Sequence, residues 1–198
     1  MKNKIISKRR KLIILSILLV LLLIIFFTSN WFWNALSPIF HKDLLYKYAG
    51  EYKIDPLLIA AIIKCESAFN PIATSKVGAK GLMQMMPKTA EELAHELNID
   101  YVNEDELYKP EVNIQFGFYY IMKLQKRYKG NLVFVLAAYN AGTKNADEWM
   151  LHYKGEGEDE AIRSITFPET RQFVKKVLWT YKVLKFIRKI KRTLQLKE

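Results

Sequence analysis

Glu66 is the residue of this sequence best placed to move a proton. It follows Leu57 to Cys65, nine residues of which only Lys64 is charged. A charged carboxylate beside such a run is costly unless it is paired or takes up a proton. Apolar surroundings raise a carboxyl pKa and make the group a proton donor near neutrality. Taken alone, the pattern also fits a glutamate at a fraying helix end that reaches water. Cys65 precedes it and is the single cysteine, so no internal disulfide can form. A thiol nucleophile would need a base. His41 and His95 lie outside the segments discussed below and His152 follows the third of them, so Cys65 reads as a small buried filler.

Three further segments carry side chains suited to a sugar: Gly81-Leu82-Met83-Gln84, Ala138-Tyr139-Asn140-Ala141-Gly142 and Glu169-Thr170-Arg171. Gln and Asn offer donors and acceptors to hydroxyl and acetamido groups, and Tyr adds a flat face with a polar tip. Each segment also has a plain structural reading. Gly81 suits a turn, Tyr139 suits a core, and Glu169 suits the first turn of a helix, where it opposes the dipole. In this order after Glu66-Ser67, the segments resemble the family 1 lytic transglycosylase domain, whose fold is that of goose-type lysozyme. The resemblance runs from about Leu44 to Val183. It includes Asn70-Pro71, Gly78-Ala79, Pro87, Pro110-Glu111-Val112-Asn113-Ile114 and Gly117.

The resemblance implies that Glu66 is the catalytic acid and base. Ser67, Met83, Gln84, Tyr139 and Asn140 would then bind substrate or support the Glu66 carboxyl. Glu169 and Arg171 would buttress the cleft, with Glu169 held by Arg171 or by a backbone amide. No metal or cofactor is implied. One position departs from the pattern. Many relatives have a tyrosine two places after Glu-Thr-Arg, where this chain has Phe173. The ring is kept and a hydroxyl is lost, so Phe173 stays outside the catalytic set.

The elements that must position these residues are mostly helical, which predicts a mainly α single domain, and the resemblance implies that it is lysozyme-like (α+β). Pro38 to Tyr52 reads as an amphipathic helix with Leu44, Leu45 and Tyr48 on one side. Asp55-Pro56 is an N-cap followed by a proline at the first helical position. The helix it opens is apolar nearly all round, hence central and buried. Ala68 to Met86 predicts a loop or small hairpin. Pro87 opens a helix that Asn98 ends, and Pro110 opens a long one closed by Gly130. Asn131 caps Leu132 to Asn140, and Gly142 stops it. Thr143 to Tyr153 predicts a short helix, Gly155 to Ile165 an acidic loop, and Pro168 the start of the last helix.

Charge and hydropathy set the ends apart from the body. The net charge is +11, yet Leu12 to Thr170 holds 15 cations against 19 acids, a net of −4. A nucleic-acid binder would place its basic patch on the folded body, so nucleic acid is not an expected partner. Residues 1–11 carry six cations. Leu12 to Phe27 then has only Ser16 polar among sixteen residues. Insertion of that run into a bilayer is worth on the order of −5 to −9 kcal/mol. With Thr28 to Trp33 it passes 20 residues and can span roughly 30 Å, with Trp31, Phe32 and Trp33 as an aromatic belt. Residues 12–34 thus predict a transmembrane signal anchor. Residues 42–184 predict an extracytoplasmic catalytic domain, with residues 185–198 as a basic helical tail. A cleaved signal peptide is the competing reading, with Ala35-Leu36-Ser37 as a weak cleavage site.

The expected function is cleavage of the N-acetylmuramic acid–β-1,4–N-acetylglucosamine bond of peptidoglycan without water, leaving 1,6-anhydro ends. The alternatives are a hydrolytic muramidase of the same fold, which needs a second carboxylate or a held water, and a non-catalytic wall-binding protein. Asp147 and Glu148 are available as acids but fall in none of the motifs. The expected partners are glycan strands, the membrane through the anchor, and anionic lipid or acidic wall polymer through the tail.

Overall fold

The computed structural model describes residues 2–29, 39–101 and 103–194, with side chains from Leu12 onward except that of Phe27. Two compact units result. One is Phe40–Leu184, and the other combines Met1–Ile39 with Lys185–Glu198.

The larger unit begins with α2, Lys42–Tyr52. The sequence predicts its start at Pro38, which lies outside the described residues. His41 has a left-handed backbone, φ 56°, which no α-helix can run through, so α2 starts after it. Next comes α3, Pro56–Glu66, opened as predicted. The Asp55 carboxylate accepts the Leu57 N–H at 3.0 Å. Every side chain from Leu57 to Ile63 is buried, five of them completely. Complete burial of one such aliphatic side chain contributes roughly 1.5–3 kcal/mol, so α3 is the axis of the core.

The predicted loop or hairpin is a series of turns. Two isolated antiparallel bridges, Thr74 with Lys80 and Lys80 with Met85, are the only β pairing among the described residues. Helix α4, Pro87–Leu97, ends at Asn98, whose φ is 52°. A short 3-10 turn, Glu104–Tyr108, follows and was not predicted. Its entry is fixed when the Asn103 carboxamide accepts the Asp105 N–H at 2.9 Å. Helix α5, Pro110–Arg127, precedes a left-handed pair, Lys129 and Gly130, and the Asn131 side chain caps α6, Leu132–Ala141. Phe134 to Ala138 are completely buried.

Helix α7 is Thr143–Leu151. The predicted acidic loop contains α8, Glu158–Ser164. Three acids in its first turn favour the dipole there, and Ala161 and Ile162 are buried beneath it. Glu160 accepts the N–H groups of Lys154 and Glu156, which folds the loop back onto the helix. The last helix, α9, is Pro168–Thr193 and buries Val174, Val177 and Leu178 in this unit.

The smaller unit contains α1, Lys2–Thr28, with the exposed apolar side chains Leu12 to Phe26. No helix among the described residues is long and apolar enough to cross a membrane. The fifteen positions from Leu12 to Phe26 measure about 22 Å at 1.5 Å per residue. The rest of the expected 12–34 span is not supported by the described side chains, and residues 30–34 lie outside the described chain. The same unit holds the end of α9 from Lys185, where Ile187 and Lys191 are buried and Phe186 is exposed.

Candidate active site

Glu66 is the last residue of α3, and the chain turns sharply just after it. Ala68 and Phe69 have φ of 51° and 66°, consecutive left-handed conformations that side chains adopt at a cost. Ser67 secures the turn. Its hydroxyl donates to the carbonyl of Leu82 at 2.8 Å and to that of Ile63 at 3.3 Å. The helix end carrying the acid is thereby tied to the Gly81–Gln84 segment.

That segment is held by its backbone. Asn113, completely buried on α5, accepts the Met83 N–H at 2.7 Å and donates to the carbonyls of Lys80 and Leu107 at 2.9 Å each. From α6, the Tyr139 hydroxyl donates to the Met83 carbonyl in a short hydrogen bond. One peptide segment is therefore gripped from two helices. Gly81, at φ 78°, has no room for a side chain. A Cβ there would lie 2.1 Å from the Leu107 carbonyl oxygen and 2.3 Å from the Asn113 amide nitrogen. Gln84 sits at φ 47°, and its amide donates to the carbonyls of Ala73 and Gly81, which leaves its carbonyl oxygen free of those bonds.

These contacts shape a cleft of about 680 Å³, within the usual range for ligand sites. Glu66, Gln84, Tyr139, Asn140 and Glu169 line it, together with Tyr120, Phe167 and the exposed Met86. The structure thus gathers five of the expected site residues around one space. The other three lie elsewhere. Ser67 serves the turn. Met83 is completely buried, with its thioether packed where a Cβ on Gly117 would fall at 2.0 Å, so it supports the cleft wall from behind. Arg171 donates twice to the carbonyl of Ile165, at 3.0 and 2.6 Å, and does not pair with Glu169. Glu169 is exposed in the cleft and makes no hydrogen bond or ion pair among the described residues.

Burial pushes the Glu66 carboxyl up from 4.5 to about 7, against the opposing pull of the Lys176 charge. Its carboxylate accepts no hydrogen bond from a described residue. At neutral pH it is therefore divided between acid and carboxylate, the condition for giving a proton and later taking one. Burial, helped by the Glu66 charge, also holds the Tyr139 phenol well above its ordinary value, so it remains a donor. The Tyr139 ring lies nearly parallel to Phe173, with centroids 6.5 Å apart and planes 11° apart, and tilts against Tyr120 at 5.8 Å. Phe173 thus keeps the packing role expected of its ring. Asp147 is bound by Arg127 and Tyr128 and is not in the cleft.

The role of Asn113 has a signal in the sequence beyond its place in Pro110-Glu111-Val112-Asn113-Ile114. A carboxamide on the same helix as Ile114, Phe116 and Gly117 falls on the buried side, and a buried carboxamide must find partners. The cleft position of Glu169 had no such signal.

Residues 43–162 match the family model described as the transglycosylase SLT domain. The chain is 38% identical over 146 residues to a putative soluble lytic murein transglycosylase of Haemophilus influenzae, covering 73% of this chain and 24% of that protein. It is 37% identical over 107 residues to a membrane-bound lytic murein transglycosylase F of Desulfosudis oleivorans, covering 51% and 22%. The solved 70-kDa soluble lytic transglycosylase of Escherichia coli superposes with a TM-score of 0.70 at 36% identity, over 76% of this chain and 24% of that one. The chain spans about a quarter of the length of these relatives. With the family model matched over more than half its length, and with the helix-end glutamate, the gripped Gly81–Gln84 segment and the Tyr139 wall in place, this chain belongs to the transglycosylase SLT domain family.

Proposed function

We propose that this protein cleaves peptidoglycan glycan strands as a lytic transglycosylase, with Glu66 as its one acid and base. The observation that carries the reading is the state of Glu66: open to a sugar-sized cleft, without a hydrogen-bond partner among the described residues, and half-protonated near pH 7. Glu66 gives its proton to the oxygen leaving C1 of N-acetylmuramic acid, and the C1–O bond breaks through an oxocarbenium-like state. The resulting carboxylate then takes the proton of the C6 hydroxyl on the same sugar. That oxygen closes on C1 and forms the 1,6-anhydro ring. The atoms balance without water or metal, and Glu66 ends as it began. Lys176 favours the carboxylate form during the second half. Proton transfer of this kind is worth typically 10²–10⁴ in rate.

Mass spectrometry of muropeptides released by the full chain in neutral detergent tests the reading. Fragments one water lighter than hydrolysis products are expected. Reducing muramic ends would establish the hydrolytic alternative, for which Glu169 is the available second carboxylate in the cleft.

The same proposal places the catalytic unit outside the cytoplasmic membrane, held by the N-terminal helix. Exposed apolar side chains from Leu12 to Phe26 support this, as do the six cations before them and the apolar sequence that continues to Trp33. Residues 1–11, 12–34, 42–184 and 185–198 are then cytoplasmic segment, anchor, catalytic domain and tail. In wall-stripped cells, added protease should digest the catalytic unit and spare the N-terminus. Release of the protein by carbonate would refute the anchor.

A further inference from the structure

Four cations near the end of α9, Lys185, Arg188, Lys189 and Arg192, stand at positions i, i+3, i+4 and i+7. This spacing stacks side chains along one stripe of a helix. With Phe186 they line a cavity of about 330 Å³ that lies wholly within the smaller unit. Side chains stacked in this way can face one extended anionic surface together. Lys191, the remaining cation of this stretch, is buried and does not line the cavity.

Two features indicate which surface that is. Phe186 is 63% exposed beside the cations. A phenyl ring among cations gains nothing from a hydrophilic wall polymer, whereas at a bilayer interface the ring enters the acyl boundary while the cations meet head groups. The unit that carries the stripe also carries α1, whose exposed side chains from Leu12 to Phe26 are apolar except for Ser16. We propose that Lys185, Arg188, Lys189 and Arg192, with Phe186 inserted beside them, form a docking stripe for the phosphate head groups of an anionic bilayer. It rests on the anchoring proposed above, and its effect is to pin the end of α9 at the membrane surface.

The cations that define the stripe are also trypsin sites, which gives a direct readout. The full chain is reconstituted into nanodiscs of phosphatidylcholine alone or with 30% phosphatidylglycerol (about one lipid in three, enough to place several anions under a stripe of this size). Cleavage after residues 185, 188, 189 and 192 is followed by mass spectrometry, with cuts at Lys76 and Lys144 as internal references. Cleavage in the stripe is expected to be at least about tenfold slower in the anionic discs relative to the references, with the protection lost at high salt. Phe186→Ser should lose most of the protection while keeping every cleavage site and wild-type lytic activity.

Equal relative cleavage in both discs overturns the proposal. So does equal protection in neutral discs by inorganic phosphate, which would mean a site for free anions, or by purified acidic wall polymer, which would assign the stripe to the wall. Recovery of the chain with anionic discs alone would refute the anchor while supporting the stripe. Recovery with neither disc would refute both.

Discussion

Replacing Glu66 with glutamine should make the protein more stable, and only at pH values where Glu66 is ionised. Burial raises this carboxyl from 4.5 to about 7. The folded state thus holds the proton more tightly than the unfolded chain does. Folding is therefore unpenalised at pH 4 and loses stability as pH climbs through the interval between 4.5 and about 7. At about 1.4 kcal/mol for each pH unit of that interval, the ionised acid costs the fold about 3 kcal/mol at pH 8.5. A glutamine side chain has nearly the same shape and no charge, so the Glu66→Gln variant recovers that amount. For a chain of this size the gain corresponds to roughly 6–12 °C in Tm at pH 8.5, falling to near zero at pH 4. The assay is thermal unfolding of both full-length proteins in neutral detergent, followed by tryptophan fluorescence between pH 4 and pH 9. A Tm difference that is flat across this range, or absent at pH 8.5, would refute the argument that Glu66 is held in a dehydrated setting. The same variant should lose at least about 10² in lytic rate, and wild-type turnover should decline above pH 7 as the acid form is depleted.

Asn113→Ala should cost at least about 2 kcal/mol, because it leaves the Met83 N–H and the Leu107 carbonyl buried without partners and leaves the Lys80 carbonyl only the Met85 N–H; urea unfolding measures this, and a loss under about 1 kcal/mol would contradict it. Gly117→Ala should cost roughly 1–3 kcal/mol and lower the lytic rate, since its Cβ would meet the buried Met83 thioether at 2.0 Å; thermal unfolding and zymography check both effects. Glu169→Gln should keep lytic turnover within about tenfold and still release anhydro-muropeptides, because in the proposed mechanism Glu66 supplies both proton transfers; a loss beyond about 10² in that variant would make Glu169 a second catalytic carboxylate.

Where the local rule and the tertiary fold agree, the sequence was readable. Asp55-Pro56 and Asn131 mark helix starts through caps that form within two residues, so nothing distant can move them. The α3 run is apolar on every side, which leaves only a buried place for it. Glu66, Gln84, Tyr139 and Asn140 were assembled by resemblance, and the geometry puts all four on one cleft, which Glu169, expected only as a buttress, also lines. Distant contacts decided the rest. Arg171 goes to a carbonyl six residues back because that backbone oxygen, not Glu169, lies within its reach. The Met83 side chain turns inward because Gly117 leaves it a hole, a fact of packing between two segments 34 positions apart. Helix α8 is not legible in the sequence because the glycines and acids around it read as a loop, and only Glu160 closes the turn before it.

The Asp55 carboxylate, besides capping α3, accepts a hydrogen bond from the Tyr181 hydroxyl at 2.9 Å. The helix that ends in Glu66 is therefore bolted at one end to α9 and at the other, through Ser67, to Leu82, with about 16 Å between the bolts. Glu66 rides on a fixed jaw. Any widening of the cleft for a bulkier strand must come from the opposite side, where Val77 and Phe167 are exposed and no comparable bolt crosses from α3 among the described residues. Relatives with different tastes in glycan or peptide stem would accordingly be expected to differ along that movable jaw and to leave the rod beneath the acid alone.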